Sequence, residues 1–346
     1  MTRRRTPLVA LFVLLVIVTA ACRPAAQRFA ELNGPLRDNV LFPDEFGIDV
    51  SHLSVPVAPL LREVSAKRLH SRVDAIDVSR PDASAGGLAA VDYIDTKLRG
   101  MGLTVRHQNA SNGGVTMPNV FADRAGTTCP DRLFVVGAHY DSVSAGPGAD
   151  DNASGVAGML EMARVLKDTA LPISVRYAGF ALEEDGLVGS SVMAQALRAR
   201  NAQVVGMVSL EMIGFTRPGV PDVFIGSDSD YLGMAGDPPS EYLARVFGAA
   251  AFTYNNFFFA PAVVVDPNVL PDVRRSDNAA FWNQGYRALI VTDTANFRNP
   301  NYHTASDTIG TLDFNFMTNS VRTMIAGLVA FATVDANHNS TPDACE

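Results

Sequence analysis

Residues 133–166 read LFVVGAHYDSVSAGPGADDNASGVAGMLEMARVL, and the rest of the chain is best understood outward from them. Leu133 to Val136 is an apolar run of the length a buried strand needs. His139 and Asp141 follow, two residues apart, so a strand carries both on one face. A Gly-Pro-Gly turn and the paired acids Asp150 and Asp151 come next, then a helix with apolar positions Val156, Leu160, Ala163, Val165 and Leu166. Groups able to hold a metal are thus concentrated where a strand ends and a helix begins, the edge at which α/β sheets bind ligands. On this reading His139 and Asp150 hold metal ions. The plainer alternative is that Asp150, Asp151 and Asn152 cap the helix, as Asp and Asn routinely do. A doubled acid lets one residue cap and leaves the other free.

Two more strands end in the same manner. Ile173 to Phe180 leads into Glu183-Glu184, adjacent carboxylates that do not bury cheaply without partners. Val204 to Glu211 finishes on an acid. A further buried strand, Ala288 to Thr292, leads towards Tyr302-His303, with Asp307 beyond. Helical spacing predicts helices from Leu60 to Leu69, Leu88 to Leu98, Ser190 to Arg200, Ser240 to Ala250 and Phe314 to Thr333. Between Phe215 and Arg275 the chain is rich in loops. There Phe257-Phe258-Phe259 reads as core packing or as the wall of a substrate pocket, core being the simpler reading.

Composition bounds what such a site can serve. Hydrophobic residues make up 47% of the 346 and charged residues 18%, which describes a soluble globular protein with ample core. A net charge of −8 and the absence of a basic stripe argue against a nucleic-acid partner. Arg3-Arg4-Arg5 precede an apolar run from Leu8 to Ala21, shorter than the ~20 residues of a spanning helix, so residues 1–22 read as a signal peptide and predict export. The end of that run, Val18-Thr19-Ala20-Ala21-Cys22, resembles a bacterial lipoprotein cleavage site, which would place a membrane-anchoring lipid on Cys22. Thr19 departs from that pattern, which prefers Leu, Val or Ile.

Cys129 and Cys345 then remain as an even pair in an oxidising compartment, and their pairing is left open by sequence. Residues 23–57 read as a tether and irregular lead-in, 58–334 as the domain that carries these strand-end motifs and 335–346 as a tail. Alternate oxygen-bearing side chains in that tail faintly resemble a calcium loop, although the usual Gly and most of the acids are missing.

Taken together, GAHYDSV (137–143), GPGADDNASG (146–155), LEEDGLVGS (182–190), LEMIG (210–214) and NPNYHT (299–304) resemble the M28 family of zinc-dependent exopeptidases, chiefly bacterial aminopeptidases. The resemblance implies a three-layer α/β fold, a central, mostly parallel mixed sheet flanked by helices, with two zinc ions. It implies that His139 and Glu184 each bind one zinc, that Asp150 bridges both, and that Glu211 and His303 complete the two sets. Glu183 would be the general base, Asp141 the partner of His139, and Tyr302 a group steadying the oxyanion. Glu211 departs from the family, where Asp is common, and Asn278 stands where many relatives have His; Asn278 is not assigned as a ligand.

The expected substrates are peptides with a free N-terminus. A glutaminyl cyclase or a carboxypeptidase on the same fold is the first alternative, and Tyr302 speaks against the cyclase, whose relatives tend to carry Trp there. A binding module that lost catalysis is the second, and the complete ligand set speaks against it. A serine hydrolase lacks its G-x-S-x-G elbow.

Overall fold

Strands that are apolar along their whole length need cover on both faces, and this chain supplies it with two helical layers. A computed structural model describes residues 25–226 and 228–346. The proposed signal peptide and Cys22 lie outside the described residues. In chain order the strands are Val105–Asn112 (β1), Val115–Arg124 (β2), Cys129–His139 (β3), Ile173–Phe180 (β4), Gln203–Glu211 (β5), Arg217–Pro221 (β6), Asp228–Ser229 (β7), Gly233–Gly236 (β8), Ala262–Val264 (β9) and Ala288–Thr292 (β10). Eight of them form one sheet in the order β1-β2-β4-β3-β5-β10-β8-β9, and β6 pairs with β7 apart from it. The centre of the sheet is parallel, β4 with β3, β3 with β5 and β5 with β10, while the pairs β1–β2, β2–β4 and β10–β8 are antiparallel and β9 runs parallel to β8.

Every residue of β4 is buried, which is why it reads as a continuous run and not as an alternation. The helices Gly155–Leu166, Glu241–Tyr254 and Phe314–Thr333 pack in one layer, and Val188–Ala199 packs with Asn278–Trp282 in the other. The helix expected from Leu60 to Leu69 is two helices, Val57–Glu63 and Ala66–Asp74. Ser65 breaks it, its side chain accepting the backbone N–H of Arg68 as an N-cap. Phe258 and Phe259 are core, as expected, while Phe257 is exposed.

The lead-in is not a tether. Phe29, Leu32, Val40, Leu41, Phe46 and Val50 are all buried in the main core, and Val40 makes an antiparallel bridge to Val263 of β9. At the other end Cys129 and Cys345 form a disulfide with their Cα atoms 5.7 Å apart, which ties the tail to the start of β3. Among the described residues, no helix is long and apolar enough to cross a membrane.

Candidate metal centre

The parallel strands deliver their last residues to one edge of the sheet. His139 is the last residue of β3 and Glu211 the last of β5, and Glu183-Glu184 lie just beyond β4. Leu182, with φ +56°, turns the chain there, and the backbone N–H of Glu184 donates to Asp141 Oδ2 at 3.0 Å. Asp141 also stands 3.6 Å from His139 Nδ1 through its other oxygen, an ion-pair distance, so one carboxylate faces both neighbours.

Between β3 and the helix Gly155–Leu166 the chain is held open. Asp151 and Asn152 have non-helical backbone angles, and the Asn152 side chain spans to β5, donating to Leu210 O and accepting from the N–H of Met212. Asp307 completes the hold: its two oxygens accept the N–H groups of Asp150 and Asp151 at 2.9 and 3.1 Å. The result separates the neighbouring acids. Asp151 Oδ1 lies 3.3 Å from His139 Nε2 and its Oδ2 3.1 Å from His303 Nε2, so this carboxylate stands between the two imidazoles. Asp150 points the other way, accepting from the N–H of Gly214 at 3.0 Å and from Asn299 Nδ2 at 2.7 Å. The place between the two imidazoles, where the bridge was expected of Asp150, is taken by Asp151. Sequence put the doubled acid in the right place, but which member faces the centre is decided by Gly214, Asn299 and Asp307, all distant in the chain.

The remaining residues gather as two sets. His139 Nε2 lies 3.4 Å from Glu211 Oε2 and 4.0 Å from Glu183 Oε2, and His303 Nε2 lies 3.1 Å from Glu184 Oε2. His139, Glu183 and Glu211 can converge on one ion, and Asp151, Glu184 and His303 on a second. Ser276 Oγ donates to Glu211 Oε2 at 2.7 Å and fixes the longer glutamate where an Asp was the commoner expectation; nothing in the sequence marked Ser276. Asn278 is turned away, donating to Val273 O. The ring of Tyr302 stacks on that of His303 with centroids 3.8 Å apart, and its hydroxyl accepts from Arg275 Nη2 at 3.0 Å.

This donor set fits a pair of cations. Four carboxylates, from Asp151, Glu183, Glu184 and Glu211, face two imidazoles in a largely buried space, a charge excess that proteins relieve with metal ions. His139 Nε2, His303 Nε2 and Glu184 Oε1 are buried and make no hydrogen bond, as lone pairs reserved for a metal would. Electrostatics agrees. Burial opposes charge on His139, yet Glu183 and Glu211 outweigh it and raise this imidazole well above its usual range. His303 is lifted to about 9 because Asp151 and Glu184 overcome its burial. Burial pushes the Glu183 carboxyl well up, against the pull of His139.

Beside Glu211 and Tyr302 opens a cavity of about 110 Å³, lined mainly by aliphatic and aromatic side chains, among them Ile225, Val265, Val273, Ile290 and Phe297. A sequence profile of peptidase family M28 matches residues 119–328, more than half of the chain. The chain belongs to peptidase family M28. The protein YfbL of Escherichia coli (strain K12) is 31% identical over 247 residues, 66% of this chain and 75% of YfbL. Leupeptin-inactivating enzyme 1 of Streptomyces exfoliatus is 31% identical over 210 residues; the match takes in 60% of this chain and only 43% of that enzyme's length. Among solved structures, the aminopeptidase from Aneurinibacillus sp. strain AM-1 superposes with a TM-score of 0.66 at 17% identity, over 81% of this chain and 96% of that one, which shows the shared fold. With M28 membership and its two ligand sets, this chain is a zinc-dependent metallopeptidase.

Proposed function

We propose that this M28 peptidase is an exported aminopeptidase with a two-zinc site, both ions of which Asp151 would help to hold. His139 and Glu211 would complete one set, and Glu184 and His303 the other. The observation that carries this reading is the position of Asp151, one oxygen towards each imidazole. Zinc bound there would polarise the scissile carbonyl and acidify an attacking water.

Glu183 is the most distant of the carboxylates around His139 Nε2, and its raised proton affinity suits it to take the proton of that water and return it to the leaving amine. Burial and the nearby Asp151 raise the Tyr302 hydroxyl, so it stays a hydrogen-bond donor and can meet the developing oxyanion. Asp141 keeps His139 oriented through Nδ1. Acids at the mouth can hold a free α-ammonium, and the apolar cavity beside them can take one side chain. A carboxypeptidase would instead need a cation for the terminal carboxylate. Arg275, which lines the cavity, is already engaged by Asp272, Asn296 and Tyr302.

Metal analysis with a panel of aminoacyl chromogenic substrates tests this directly. Two zinc ions per chain are expected, with cleavage of free aminoacyl substrates and loss of at least roughly a hundredfold on N-acetylation, since the blocked amine leaves buried acids unpaired. Equal cleavage of both series rules out an aminopeptidase. Export is supported by the Arg-led apolar run and by the disulfide, and lipid anchorage by the resemblance around Cys22.

Calcium in the tail is a second, separate proposal. Asp335, Asn337, Asn339, Asp343 and Glu346 take the first, third, fifth, ninth and twelfth places of a twelve-residue stretch, the spacing of a calcium loop. Ser340, with φ +70°, occupies the turn position where such loops carry Gly. Titration calorimetry of the zinc-loaded protein should register binding of calcium in the micromolar to millimolar range. A flat titration ends the proposal.

A further inference from the structure

We infer that the N-terminal segment 28–41, which precedes the family-matched region, is a wall of the substrate side-chain pocket and sets the size of side chain that the pocket admits. This rests on the aminopeptidase reading and adds to it an element outside residues 119–328.

The segment brings Leu36 into the lining of the cavity and is fastened at two places. At the first, the N–H groups of Asn33 and Gly34 donate to Ile225 O at 3.2 and 3.1 Å, and that of Leu36 donates to Phe224 O at 2.9 Å. The fit is close: a Cβ on Gly34 would come within 2.4 Å of Phe224 O, so only glycine allows this backbone approach. At the second, Leu41 N–H donates to Ala262 O at 2.8 Å, Asn39 Nδ2 donates to Val264 O at 3.1 Å, and Val40 bridges to Val263. Phe224, Ile225 and Val263 all line the cavity, so the two fastenings seize two of its walls and hold them at a fixed separation.

Leu36, between the fastenings, itself lines the cavity. It shares the cavity with Phe224 and Phe297, whose rings meet edge to face with centroids 4.7 Å apart. Phe297 belongs to the loop that goes on to Tyr302 and His303, so the segment, the 222–226 turn and the metal-bearing loop meet at one rim. The cavity, at about 110 Å³, is several times the ~10–15 Å³ that one water needs, so it has room for a side chain. It is lined on this flank by a residue that the peptidase core does not supply.

The test changes the size of Leu36 in the zinc-loaded enzyme. Leu36→Trp narrows the rim and should lower the kcat/KM ratio of phenylalanyl over alanyl substrate by about tenfold, and Leu36→Ala should raise the ratio of tryptophanyl over leucyl substrate by about the same factor. Calorimetric binding of free L-phenylalanine and L-alanine reads the first ratio without turnover. Discrimination in binding by an enzyme that cleaves none of the substrates would therefore count against the activity and not against the wall. Zinc content and a thermal melt show that each variant is folded; if one fails to fold, the other carries the test. Ratios that stay within twofold of the unaltered enzyme in every folded variant overturn the inference.

Discussion

Glu183→Gln is expected to lower kcat/KM by roughly 10²–10⁴-fold while zinc content stays near that of the unaltered enzyme. The amide keeps the size and polarity of the side chain but cannot take a proton from water. Among the groups around His139 Nε2, Glu183 at 4.0 Å is farther than Asp151 at 3.3 Å or Glu211 at 3.4 Å, so it is the carboxylate the metal needs least. Glu184→Gln should behave in the opposite way, with weakened zinc binding, because Glu184 Oε2 lies 3.1 Å from His303 Nε2. Zinc loss from Glu183→Gln with full occupancy in Glu184→Gln would exchange the two roles.

Asp151→Ala is expected to have the largest effect on the metals, and Asp150→Asn, one residue away, the smallest. Removing the carboxylate placed between both imidazoles should take zinc from two ions per chain to fewer than one and activity down by at least about 10³-fold, as loss of a metal-activated nucleophile demands. The melting temperature should fall with it, since a ligand at 1,000 times its Kd stabilises by about 4 kcal/mol. Asp150 is different in kind. Burial, then the nearby carboxylates of Asp293 and Asp307, push its carboxyl well up, so its neutral form is favoured. Asparagine keeps the neutral charge and an oxygen for the Gly214 N–H, and gives up only the acceptor that Oδ2 offers to Asn299 Nδ2. Asp150→Asn should therefore hold two zinc ions and stay within about tenfold in kcat/KM. Zinc analysis of the two proteins side by side decides the matter, and the reverse pattern would restore the bridge to Asp150.

Much of this site is legible in sequence, because a strand buried on both faces must end where its chain leaves the sheet. A polar residue at such an end is conspicuous. His139 and Glu211 close their apolar runs, and Glu183-Glu184 follow the fully buried β4. Asp150 and Asp151 were not separable in that way. A helix start accepts either acid, and the choice between them depends on a turn whose backbone is fixed by contacts with residues 214, 299 and 307. The lead-in escaped notice for a related reason. Phe29, Leu32, Val40 and Phe46 reach the core from irregular backbone, so no period links them, although each is as buried as a residue of a regular strand. Ser276 and Asp307 serve the site by hydrogen bonds that no spacing encodes.

Asp307 has a mechanical consequence. It grips the two peptide units that carry Asp150 and Asp151, yet it lies four residues after His303. The loop bearing His303 and Tyr302 is thus clamped to the turn bearing Asp151, and Asn299 adds a further clasp through Asp150. Neither piece can swing without dragging the other. The half of the centre built from Asp151, Glu184 and His303 is accordingly a braced frame and not a hinged cover. Such a frame holds the Asp151 carboxylate and the His303 imidazole at one separation, and the cavity flank is pinned in its turn, by the bonds of segment 28–41 to Phe224, Ile225, Ala262 and Val264.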